Sequence, residues 1–170
     1  MEKPERAIPV VCDAGPLIHL DELGCLDLLA DFQEALVPEE VWQEVLQHRP
    51  SALHRRSVPL KRIDHPSEPN ERLARVIRLF DLQRGEAEAL SMLEELPGGM
   101  LLTDDLAARH AAQHLGLPVS GTLGLLLRAL RRNLRTRQQV IKLLRVVHRK
   151  SSLFVDQGLL NSIIEQVQEV

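Results

Sequence analysis

The chain has 170 residues, 44 % of them apolar and 26 % charged, with a formal net charge of −3. That length suits one domain with a substantial buried core, and the composition is that of an ordinary soluble globular protein. No apolar run approaches the roughly 18 residues of a membrane span, and Met1-Glu-Lys-Pro-Glu-Arg6 is too charged for a secretory signal, so no membrane partner is expected.

In chain order, Ile8–Cys12 reads as a buried strand that ends in the turn residues Asp13-Ala-Gly-Pro16. Short helices broken at Gly24 follow over 16–32, then a strand at Ala35–Val37. Pro38 opens a helix to Gln47, with Glu39 and Glu40 in the first turn, where the helix dipole favours them. Residues 48–70 carry four prolines and read as a long irregular stretch with one strand near Leu60–Ile63. Helices are expected over Glu71–Leu82 and Glu86–Leu96. A strand at Met100–Thr103 comes next, then a helix opened by Asp104-Asp105 and running to Leu115, and a strand at Leu117–Ser120. Helices over Thr122–Arg132, Arg137–Lys150 and 156–168 complete the chain. Strands alternating with helices predict an α/β fold with a parallel sheet covered on both faces, whose ligands collect at the carboxyl ends of the strands.

Acids stand at those ends. Asp13 follows the first strand, although Asp before Gly-Pro is also an ordinary turn or cap residue. Glu86 projects about 50° from the centre of the apolar face of its helix and Glu88 about 110°. Glu86 can therefore serve the first-turn amides or point into a site. Glu44 lies at the boundary of its helix's buried stripe, and Gln43 mirrors it, so spacing does not select it. One of Asp104 and Asp105 can cap the following helix and leave the other free; spacing does not say which. Carboxylates converging on one crevice need protons, basic partners or cations, and no Lys neighbours these in sequence; an all-oxygen set suits Mg²⁺ or Mn²⁺.

The charge is segregated. Residues 106–155 contain no acid and 10 Lys or Arg, nine of them within 128–150. Arg128, Arg131, Arg132 and Arg135 head this segment and offer guanidinium groups to a phosphate backbone, although a solvated helix pair explains the run equally well. Leu125, Leu126, Leu130 and Leu134 could form a helical stripe for a second copy of the chain or for a protein partner.

Other chemistries find no support. His110 and His114 are spaced i, i+4 but lack the Glu of a zinc-hydrolase helix, and no P-loop, G-x-G-x-x-G or G-x-S-x-G occurs. Cys12 and Cys25 make neither a disulfide framework nor a C-x-x-C, as expected of a reduced cytoplasmic protein. Aromatic residues are 2 % of the chain, with no Tyr, which disfavours modules that stack bases on aromatic platforms. A response-regulator receiver or a haloacid-dehalogenase-like phosphatase would show a second acid beside Asp13; this chain has Asp13-Ala-Gly15.

An ordered set of five segments resembles the PIN-domain nucleases of the VapC-type toxin branch: Val11-Cys-Asp13-Ala-Gly-Pro-Leu-Ile18, Val37-Pro-Glu-Glu-Val-Trp-Gln-Glu44-Val45, Gly85-Glu86-Ala-Glu88-Ala-Leu90, Leu102-Thr-Asp104-Asp105-Leu-Ala-Ala-Arg109 and Leu115–Gly124. The resemblance is nearest to a prokaryotic subgroup with G-E-x-E-A and D-D-x-x-A-R motifs, and spans about residues 8–132. It implies a PIN-like catalytic domain over 1–132, a three-layer fold with a central parallel sheet of about five short strands. A helical C-terminal extension over 133–170 would pack on the same domain. It also implies a cytoplasmic, metal-dependent endoribonuclease, the toxin of a toxin–antitoxin pair, or else a PIN-like module that binds RNA or protein without cutting. By position the catalytic acids are Asp13, Glu44, Glu86 and Asp105. Mg²⁺ or Mn²⁺ would be held by Asp13, Asp105, Asp104 and Glu86. The implied partners are RNA, an antitoxin protein and a second copy in a homodimer. Glu86 stands where the family usually has Asp, and its arm is longer by one methylene.

Overall fold

The computed structural model describes residues 7–55, 58–64 and 67–169. Five strands, β1 (Val10–Cys12), β2 (Ala35–Pro38), β3 (Leu60–Ile63), β4 (Met100–Leu102) and β5 (Val119–Ser120), form one sheet. Its order is β3-β2-β1-β4-β5 and every pairing is parallel. The α-helices among the described residues are α1 (Ala14–Glu22), α2 (Glu39–His48), α3 (Glu71–Leu79), α4 (Arg84–Glu94), α5 (Leu106–His114), α6 (Thr122–Arg131), α7 (Arg137–Lys150) and α8 (Gln157–Glu169).

Both faces of the sheet are covered, and the two-residue period of the strands decides which side chain meets which layer. Val10, Cys12, Ala35, Val37 and Leu102 pack under α1, α2 and the C-terminal helices α6–α8. Val11, Leu36 and Leu101 pack under α3, α4 and α5. The helices expected beyond residue 133 contribute Val140, Leu144, Val147, Leu160 and Val167 to the first of these cores. Leu125 and Leu126 do the same and are essentially inaccessible, so the stripe read as a docking face is mostly internal; only Leu134 of the four is exposed. Cys12 and Cys25 are buried and unpaired, and burial pushes both thiols up to about 12, which keeps them inert.

The differences from the sequence reading are local. The irregular 48–70 stretch contains a short 3-10 turn, Pro50–Leu53, held by the buried carboxylate of Asp21, which accepts from Arg49 Nε at 2.6 Å, Ser51 Oγ at 2.8 Å and Arg55 Nε at 2.7 Å. Parts of that stretch, 56–57 and 65–66, lie outside the described residues. α3 stops at Leu79 rather than Leu82, because Asp81 turns left-handed at φ 51°. No helix among the described residues is long and apolar enough to cross a membrane.

β1 occupies the centre of the sheet. The chain winds outward through β2 and β3, then crosses back to β4 and β5 on the other side. The winding direction reverses between β1 and β4, and in such sheets a crevice opens at the carboxyl ends of the strands there. Asp13 follows β1 directly, and Thr103-Asp104-Asp105 follows β4.

Candidate active site

A cleft of about 440 Å³ lies at that crevice. Asp13, Glu44, Glu86, Asp104 and Asp105 line it, with His19, Gln83, Leu153 and Phe154; among the described residues no Lys or Arg does.

Asp13 is 8 % exposed and caps α1, accepting the Ala14 N–H on Oδ1 at 2.8 Å. Its Oδ2 accepts the Thr103 hydroxyl at 2.7 Å. That hydroxyl in turn accepts the Asp105 N–H at 3.1 Å, so Thr103, fully buried, ties the two acids together across β1 and β4. Asp105 caps α5 through Oδ1, which accepts the Ala108 N–H at 2.8 Å, and its side chain remains exposed to the cleft. A residue can cap a helix and still face a site, because capping engages one oxygen of the carboxylate.

Asp104 has a different part. Its Oδ1 accepts the Thr122 N–H at 2.7 Å, and its Oδ2 meets His19 Nδ1 at 2.8 Å and the Thr122 hydroxyl at 2.5 Å. These hydrogen bonds, with His19 foremost, hold its carboxyl below the usual range against the opposing effect of burial. Asp104 thus joins β4, α1 and α6 with both oxygens engaged. The joint is tight. A Cβ on Gly121 would stand 2.5 Å from Arg109 Nη2, 2.6 Å from Asp104 Oδ1 and 3.1 Å from the Thr103 carbonyl. Gly121→Ala is therefore expected to destabilise the protein by about 1–3 kcal/mol, read as a lower melting temperature with secondary structure retained.

Glu86 reaches the cleft from α4 and is the third residue of a capping box; its Oε2 accepts the Gln83 N–H at 2.8 Å. The two roles that the sequence left open are combined in one side chain. Glu88 turns away and accepts the Glu40 N–H at 3.1 Å, fastening α4 to the N-terminus of α2. The two helices meet closely at Gly85, where a Cβ would stand 3.3 Å from Val41 Cγ2. This contact sets Glu86 beside Glu44, which is exposed on α2 and forms part of the cleft wall.

The acids feel one another. Burial raises the Asp13 carboxyl to about 6, opposed by the hydrogen bonds from Thr103 and Ala14 and reinforced by the charges of Glu44 and Asp105. Glu86 is raised to about 7, first by burial, against the Gln83 hydrogen bond, with Asp105, Asp13 and Glu44 adding to the rise. Four carboxylates, two on helices and two at helix caps, thus share one field with no Lys or Arg among the described residues of the cleft lining to neutralise it, and His19 is engaged by Asp104. Their donor chemistry suits a hard divalent cation. No group of three or more His, Cys, Asp or Glu among the described residues is drawn together closely enough to hold a metal on its own. Mg²⁺ sites keep several waters and commonly use one or two carboxylates, a demand that Asp13 and Asp105 suit.

The basic segment is divided. Arg128 and Arg132 both pair with Asp31, at 3.0 and 2.6 Å, and Arg128 also lies over the Phe32 ring. Arg135 grips Asp27 through both carboxylate oxygens. Three of the four arginines singled out for a phosphate backbone are thus engaged with the chain's own acids; Arg131 is exposed, without an acid partner among the described residues. Sequence reasoning missed Thr103, Thr122 and the His19–Asp104 pair. The only signal for them was the T-D-D spelling after β4 and a Thr at the entry to α6.

The DUF3368 family profile, described as a PIN domain, matches residues 9–169 of the chain. No curated protein matches it.

Proposed function

The chain belongs to the DUF3368 PIN-domain family, a nuclease fold, and from that premise we propose that it is a Mg²⁺- or Mn²⁺-dependent endoribonuclease whose active site is the cleft of Asp13, Glu44, Glu86 and Asp105. The observation that carries this reading is the convergence of four mutually repelling carboxylates at the sheet's crossover point, with no Lys or Arg among the described residues of the cleft lining and its one imidazole, His19, taken up by Asp104.

Asp13 and Asp105 would hold the cation directly, since each has one oxygen fixed by a cap and Thr103 ties the pair. A bound divalent ion would acidify a water and neutralise charge on the phosphate oxygens. With Oε2 fixed by Gln83, Glu86 has Oε1 left to accept a hydrogen bond from a water; Glu44 closes the acidic wall on the α2 side. Asp104, expected as a further ligand, we assign to support: its two oxygens already take three hydrogen bonds, from the Thr122 N–H, the Thr122 hydroxyl and His19, whereas each oxygen of Asp13 accepts only one and keeps a lone pair for a cation. The toxin of a toxin–antitoxin pair is the setting we propose, on the strength of the resemblance.

One observation favours a second reading, a PIN-like module that binds without cutting: among the described residues no three ligands are gathered at one point. Calorimetric titration with Mn²⁺ followed by an RNA cleavage assay separates the two. The nuclease reading expects saturable binding at or below millimolar Mn²⁺, and cleavage that stops when a chelator is added. No binding at millimolar Mn²⁺, with RNA left intact, would overturn the nuclease reading and favour the binding module.

A further inference from the structure

Between α7 and α8 the chain runs past the cleft as an extended strap over 151–156. Leu153 and Val155 turn inward and are buried, and Phe154 between them stands 93 % exposed. An extended backbone imposes this alternation, so the two inward anchors fix the outward ring. The strap is fastened on both sides of it. Ser152 donates its N–H to Glu22 Oε2 at 2.6 Å, and His148 Nε2 donates to the Val155 carbonyl at 2.7 Å. Phe154 lines the acidic cleft and also the adjoining groove of Leu106, Arg109, Leu123 and Leu127. A ring held in water at the lip of a reactive cleft forgoes the burial that Phe ordinarily gains, unless a ligand covers it.

The helix that leads into the strap indicates the ligand's charge. Lys142, Arg145 and Arg149 fall at i, i+3 and i+7 on the outer face of α7, opposite the buried Val140, Leu144 and Val147. All three are exposed and have no acid partner among the described residues. An occupant that reaches from the ring to this face of α7 would offer a flat apolar face to the one and a chain of negative charge to the other. An unpaired stretch of nucleic acid does both.

We propose that Phe154 is a stacking platform for an unpaired base of the RNA, and that Lys142, Arg145 and Arg149 hold the neighbouring backbone. The inference rests on the ribonuclease reading and assigns the ring to an unpaired base, because a paired base has no free face to present.

The test uses the full chain carrying Asp13→Asn, so that bound RNA stays intact. Affinity is measured for a fluorescently labelled single-stranded 12-nucleotide RNA and for the same sequence as a duplex. Adding Phe154→Ala is expected to weaken single-strand binding by about fivefold or more, from the usual contribution of one stacked base, and to leave duplex binding unchanged. Phe154→Trp should restore the affinity and Phe154→Leu should not. Equal single-strand affinity with Ala in place of Phe overturns the platform while leaving the nuclease reading intact. Recovery with Leu as complete as with Trp also overturns it, and indicates an apolar contact such as a docked protein. A parent chain that binds neither RNA overturns the platform, and the nuclease reading is then decided separately by cleavage with the unsubstituted chain. The ring is almost wholly exposed, so little packing is lost with it, and thermal melts of the variants check that the fold is unchanged.

Discussion

Asp13→Asn is expected to reduce Mg²⁺- or Mn²⁺-dependent RNA cleavage by at least about a hundredfold, the scale seen when one electrostatic element of a transition-state site is removed. The substitution is nearly isosteric. Its Oδ1 can still accept the Ala14 N–H, so the cap on α1 survives, and Thr103 keeps its hydrogen bond from the Asp105 N–H. The negative charge is lost at the most buried of the four site carboxylates, where nothing else can supply it. Glu44→Gln, at an exposed position on the cleft wall, is expected to cost less than Asp13→Asn. Cleavage of an end-labelled RNA by each purified variant, with circular dichroism as the check on folding, reads the comparison. Undiminished cleavage by the Asp13 variant would remove the proposed mechanism.

In the absence of a divalent ion the protein is expected to become less stable as the pH rises from about 4 to about 7. Asp13 and Glu86 both have carboxyls raised by folding, to about 6 and about 7. The folded state therefore holds their protons more tightly than the unfolded chain does. Their favourable contribution is complete below the unfolded values, near 4, and is lost as pH climbs through 6 and 7. Asp21 and Asp104 are shifted the other way, and their contribution disappears only below pH 4, so they do not mask the effect. At about 1.4 kcal/mol per pKa unit, and with Glu86 only half-buried, the two acids together amount to something on the order of 3 kcal/mol. For a chain of this size that corresponds to a melting temperature lower by roughly 5–10 °C at pH 7.5 than at pH 5. Millimolar Mg²⁺ or Mn²⁺ should recover much of the loss at pH 7.5, and Asp13→Asn with Glu86→Gln should flatten the profile. A melting temperature that rises steadily over that range without metal would show that the acids do not share one uncompensated field.

Much of this architecture is written locally. The short apolar runs, the proline at the head of α2 and the Ala-rich stretch after Asp104-Asp105 each specify an element by composition and period, and each element appears within a few residues of its expected place. The features that local spacing left open depend on partners far away in the chain. Arg128 and Arg132 lie about 100 residues from the Asp31 that engages them. Leu125 and Leu126 look like a docking stripe until α7 and the sheet close over the same core. Glu44, which helical spacing alone could not distinguish from Gln43, acquires its place in the cleft because Glu88 and Gly85 seat α4 against α2. The scarcity of aromatic residues argued against base stacking as a module-wide device. A single ring aimed by its strap is a different arrangement, visible only once Leu153 and Val155 are seen to turn inward.

The amino-acid order by itself determined the alternation of strands and helices, the parallel sheet and the positions of acids at strand ends, because backbone preference and apolar period act over a few residues. Only the tertiary structure decided which acids share a field. It decided that Asp105 faces the cleft while Asp104 ties three elements together, and which arginines retain a free charge. Electrostatic energy depends on distance through space and on burial, and neither is a property of neighbouring letters in the chain.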